Sequence, residues 1–148
     1  MTDVPLLPVL LVIVAGAAVA TQSPLNAALG RGIGSGLAAG AISFGVGFFA
    51  LLIVTLVFGQ GGSLLAVGTV PSGLLVGGVL GAFFVWAMLS SVPVLGVVTA
   101  TAALILGQMG AALVLDMIGA FGLPKQPVTW TRVGAVALVV TGLVLSRV

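Results

Sequence analysis

Gln108 and Asp116 stand out chemically, because both lie in the apolar run from Pro93 to Pro124, PVLGVVTATAALILGQMGAALVLDMIGAFGLP. An amide and a carboxylate are costly in lipid unless they bind, pair or carry protons. Gln108 has donor and acceptor groups near the middle of the run and suits direct contact with a solute. Asp116 lies nearer an end, two four-residue steps on and roughly 12 Å further along a helix. It either exchanges a proton with a cavity or pairs with Lys125 or Arg132. Each four-residue step drifts about 40° on an ideal helix, so the two groups occupy adjoining parts of one broad face. Gln22 and Asn26, in the turn after the first apolar run, extend the polar set. Trp86 joins it because its indole N–H lies inside a span, where an interfacial anchor is not expected. Each has a bland alternative: Gln108 can tie one helix to another for about 1 kcal/mol, Trp86 can simply pack, and Asp116 can be a solvated interfacial group.

Other chemistry is excluded by what the chain lacks. It has no Cys and no His, which removes disulfides, thiolate and imidazole metal ligands, and nucleophiles that depend on a Cys or a His base. Asp3 and Asp116 cannot form a catalytic pair across the predicted topology, so neither an enzyme nor a metal or other cofactor is expected. The glycines between Gly30 and Gly36 follow no strand and carry no GK[ST], so they suit a bend and close helix contact, not a phosphate loop. The sequence pI of 10.7 rests on a net charge of +2. No basic patch exists for nucleic acid.

The elements that hold these residues must be membrane helices. The chain is 61% hydrophobic and 4% charged, with mean hydropathy +1.45, values that a water-soluble domain of this size does not tolerate. A helix crosses a hydrocarbon core of about 30 Å with about 20 residues, which leaves room for about five spans. The fold class is therefore all-α, a polytopic membrane protein. Asp3 stands where a secretory signal carries Lys or Arg, so the first helix is expected to be mature. One transmembrane domain, residues 1–148, is expected, with helices at about 5–21, 35–58, 72–91, 93–119 and 129–146. The first ends before Ser23-Pro24, because the residue before a proline is pushed out of helical geometry. Gly59 to Pro71 reads as a loop at the membrane edge. Gly77 and Gly81 continue a four-residue glycine ladder from Gly73, and Gly107 and Gly142 lie on small-residue faces that another helix can approach closely. Trp130, Arg132 and Arg147 mark the ends of the last span.

In this order, Gln22 with Asn26, Gly77-Gly78 with Gly81, Gly107-Gln108 with Asp116 and Gly119, and Gly134 with Gly142, the chain resembles the half-size YdcZ-like branch of the drug/metabolite transporter superfamily. The resemblance covers almost the whole chain. It implies one inverted-repeat half of a transporter of about ten helices, set in the inner membrane of a bacterium, with Gln22, Asn26, Trp86, Gln108 and Asp116 lining a central cavity. Small multidrug resistance exporters, distant relatives, use a membrane glutamate in the first helix; here Asp116 is the membrane carboxylate available.

The expected function is secondary transport of a small metabolite or drug-like solute by alternating access. The alternative is a non-transporting membrane subunit or a passive channel. With no aromatic cage, paired acids or buried arginine in evidence, a neutral, zwitterionic or singly cationic solute is favoured. Arg31 and Arg147 fall on one side of the spans and Lys125 and Arg132 on the other, so the positive-inside rule finds no bias. The chain is expected to insert both ways and to pair with a second copy of itself in opposite orientation, supplying the missing half. Its partners are then the lipid bilayer, that second copy and the solute.

Overall fold

The computed structural model describes residues 6–147. Asp3, and the helix start expected at residue 5, lie outside them. The described chain is all-helical. Four helices are long and apolar enough to cross a membrane, and a fifth apolar helix is shorter. The chain falls into two compact units that meet between Val94 and Leu95.

The first unit begins with α1, Leu6–Ile33, which runs straight through the expected stop at Ser23-Pro24. A proline inside a helix deletes one N–H donor, here the one that would serve the Ala20 carbonyl. In an apolar medium every other backbone bond is worth keeping, and ending the helix at residue 21 would expose several carbonyls at once. The consequence is functional: Ser23, Asn26 and Gly30 are buried at three- and four-residue spacing on one face of α1, instead of lying in a polar turn.

The bend comes at Gly34, whose φ of 75° is in the left-handed region that glycine adopts without strain. Ser35 then starts α2, Gly36–Val57, its Oγ accepting a hydrogen bond from the Ala38 N–H at 3.2 Å. The two helices are tight at this corner: a Cβ on Gly30 would stand 3.0 Å from Gly36 Cα. Ala39 and Gly40 are the buried part of α2. The segment expected to be a loop holds a short helix α3, Gly61–Leu65, and 3-10 turns at Ala66–Thr69 and Ser72–Leu75. It leads into α4, Val76–Leu95, which buries Val85, Met88 and Val92. A Cβ on Gly40 would lie 3.3 Å from both Leu89 Cδ1 and Val85 Cγ1, so α2 and α4 touch at that glycine. Pro93 falls inside the last turn of α4 and does not start the next helix as expected. The break is at Gly96, with φ 79° and ψ 161°, a conformation essentially reserved for glycine.

The second unit pairs α5, Val97–Ile118, with α6, Trp130–Leu145. At one end Thr99 Oγ1 donates to the Ser146 carbonyl at 3.2 Å. At the other, α5 stops at Gly119 in the left-handed conformation, and the chain doubles back so that the Gln126 N–H donates to the Asp116 carbonyl at 2.9 Å. Thr129 caps α6, its Oγ1 accepting from the Arg132 N–H at 3.4 Å. α6 has 16 residues, about 24 Å of helix. That is shorter than the roughly 30 Å hydrocarbon core of a bilayer.

Candidate functional site

In the first unit, the continuation of α1 past Pro24 brings Gln22, Ser23 and Asn26 onto the side facing α4. Asn26 is 7% exposed and Ser23 6%. The three line a small cavity closed by Phe84, Val85, Met88 and Leu89. Its volume of about 10 Å³ is room for one water molecule. Among the described residues, none of these three side chains makes a hydrogen bond, and none has a polar atom sealed from access; the sealed, unpartnered side-chain oxygen is Thr101 Oγ1 on α5. Buried amides normally find partners, so this cluster holds unspent donors and acceptors.

Trp86 lines a neighbouring apolar groove of about 200 Å³ between α2 and α4, with Leu37, Gly40, Ala41, Phe44 and Ala82. Val85 and Leu89 belong to both cavities. The indole is half exposed and leans on Phe83, with ring centroids 5.8 Å apart. A third cavity, about 420 Å³ and lined by Arg31, Gly34 and Ser35 at the α1–α2 corner, also has Leu89 in its wall, with Pro93 beside it.

In the second unit, Arg132 Nη1 donates to Asp116 Oδ2 at 2.9 Å, with both side chains about one third exposed (35% and 36%). The Arg132 Nη2 reaches Gln126 Oε1 at 3.4 Å. Of the two cations that could have paired with Asp116, Arg132 is the partner; Lys125 packs its stem over Gly119, its Cγ 2.7 Å from where a Cβ would be. The pair forms the rim of an apolar cavity of about 150 Å³ lined by Met109, Leu113 and Val136. Gln108 is exposed on α5.

The structure thus brings Gln22 and Asn26 together, sets Trp86 beside them across Val85 and Leu89, and places Gln108 and Asp116 in the other unit. Of the glycines expected to pack, a Cβ on Gly81 would stand 3.6 Å from the Phe44 ring, while a Cβ on Gly77, Gly107 or Gly142 would meet no described atom within 4 Å beyond its own stretch of helix. Sequence reasoning missed Ser23 and Gln126. Ser23 falls on the Asn26 face once α1 is taken as unbroken, whereas Gln126 needed the return of the chain after Gly119, which no spacing announces.

The family model described as "Putative inner membrane exporter, YdcZ" matches residues 7–145. No curated protein and no solved structure matches the chain.

Proposed function

The chain belongs to the YdcZ family of the drug/metabolite transporter superfamily and is an inner-membrane protein; from that premise we propose that it is a secondary transporter that exports a small solute by alternating access. The observation that carries the proposal is the family match over nearly the whole chain, and the unpartnered amides in the first unit are the chemistry a solute would use. Gln22, Asn26 and Trp86 form the wall that the first unit offers a solute, and Gln108, exposed on α5, is the amide that the second unit offers. Both units belong to one transmembrane domain.

The transporter works as an antiparallel homodimer of oppositely inserted copies. If α1, α2, α4, α5 and α6 each cross, Arg31 and Arg147 emerge on one side and Lys125 and Arg132 on the other, which leaves the positive-inside rule without a bias. An odd number of crossings makes the flipped copy equivalent to an inverted second half. The open faces at Gly77, Gly107 and Gly142 leave room for its helices to approach closely. Asp116 anchors α6 to α5 through Arg132, and the 2.9 Å contact supports that role over proton exchange.

Two measurements test this. Reconstituted in liposomes, the protein should drive saturable counterflow of labelled solutes from a metabolite and drug panel; a non-saturable leak would point to a passive channel, and no flux at all to a non-transporting subunit. Single cysteines at Gly32→Cys and Leu123→Cys should each be labelled from both faces of the membrane. Labelling of each from one face alone would overturn the dual orientation.

A further inference from the structure

Leu89 lines all three cavities described for the first unit: the apolar groove beside Trp86, the amide pocket of Gln22, Ser23 and Asn26, and the opening at the α1–α2 corner. With Val85 it forms the partition between groove and amides, and both side chains rest against Gly40. A leucine changes rotamer at small cost where it is not tightly enclosed, and Leu89 is only partly buried. Turning it away would merge the groove of about 200 Å³ with the polar pocket, and the combined space would be open toward Arg31.

The amide pocket has the marks of a site waiting for a polar group. Asn26 and Ser23 are more than nine-tenths buried and make no side-chain hydrogen bond among the described residues. No charged side chain lines the groove or the amide pocket. An ion seated at the amides would lose its hydration with no counter-charge beside it, Arg31 lying in the corner opening, whereas a neutral amide or hydroxyl would recover its hydrogen bonds.

We infer that Leu89 is a movable partition and that the joined cleft binds an uncharged molecule with an apolar, ring-sized body against Trp86 and one hydrogen-bonding head received by Gln22, Ser23 and Asn26. This rests on the transporter proposal for its biological meaning and narrows its substrate class to neutral amphiphiles.

The test is direct binding to the full chain in detergent micelles. The protein has two tryptophans, so Trp130→Phe leaves Trp86 as the sole reporter. Its fluorescence is titrated with a matched series: benzamide, toluene, benzoate and benzylammonium. Benzamide should bind saturably and more tightly than either ion. Asn26→Leu should weaken benzamide about tenfold, the scale of one or two lost hydrogen bonds, and leave toluene unchanged. Comparing one probe between two proteins cancels its partition into micelles. Leu89→Ala should strengthen benzamide binding by removing the partition, while Ala41→Phe, which fills the groove, should weaken benzamide and toluene alike. Should Asn26→Leu fail to fold, Gln22→Leu, at a half-buried position, asks the same question. Preference for benzoate or benzylammonium, benzamide binding unaltered in the leucine variants, or quenching that never saturates would each overturn the inference. Binding needs neither a second copy nor a gradient, so binding without flux would sink the transporter reading alone. Flux of charged solutes without benzamide binding would sink this one alone.

Discussion

Replacing Asp116 by Asn removes the charge that holds Arg132 while keeping the side chain's size, and the structure sets the scale of the effect. The two groups are 2.9 Å apart and each is about one third exposed. At an effective dielectric near 20, unit charges about 4 Å apart attract by about 4 kcal/mol, most of which desolvation and side-chain ordering offset. Exposed pairs contribute about 0–1 kcal/mol, and breaking a buried pair costs about 3–5. A pair with this exposure lies between, so Asp116→Asn and Arg132→Gln should each cost about 1.5–2 kcal/mol, since the surviving charge or carbonyl of Gln126 compensates only in part. For a chain of this size that is a fall of roughly 3–8 °C in Tm. The double variant should lose less than the sum, with a coupling energy of about 1 kcal/mol. Thermal unfolding in detergent, followed by tryptophan fluorescence, reads all four proteins. Transport by Asp116→Asn should keep the wild-type pH profile. Unchanged Tm in Asp116→Asn together with a flattened pH profile would refute the anchoring argument and make Asp116 the proton carrier.

Three further outcomes are expected. Gly30→Ala should destabilise the fold by about 1–3 kcal/mol, because the new methyl meets the Gly36 backbone at 3.0 Å. Gly32→Ala, with no described atom within 4 Å, should be neutral or stabilise α1 by up to about 1 kcal/mol; equal effects on Tm would show that the corner is not tight. Gly96→Ala should cost about 1–3 kcal/mol, because its φ of 79° and ψ of 161° are strained for any side chain, and wild-type stability would contradict the break described there. Gly107→Leu and Gly142→Leu should leave the Tm of a monomer unchanged, as a Cβ on either glycine would meet no described atom within 4 Å beyond its own stretch of helix, yet abolish dimers in native mass spectrometry; dimers of wild-type abundance would remove both faces from the interface.

Composition and length alone were enough to place this chain in the membrane as a helical protein, because burying so much apolar sequence in about five runs has no soluble solution. The polar residues worth attention were also legible, since an amide or carboxylate in an apolar run is conspicuous wherever it falls. Which way each one faces was not. Helices apolar on every side carry no amphipathic stripe, so nothing in the order of residues says which face of α1 meets α4 or which faces of α5 remain open. Pro24 shows the limit clearly. Local preference ends a helix there, and the medium overrules it, because losing one hydrogen bond costs less in lipid than exposing a whole helix end. That override turned Gln22, Ser23 and Asn26 from a surface turn into a buried wall. The partner of Asp116 was likewise a tertiary decision: Lys125 and Arg132 were equally available by charge, and the left-handed Gly119 followed by the return of the chain placed Arg132 within 2.9 Å while laying the Lys125 stem over the glycine.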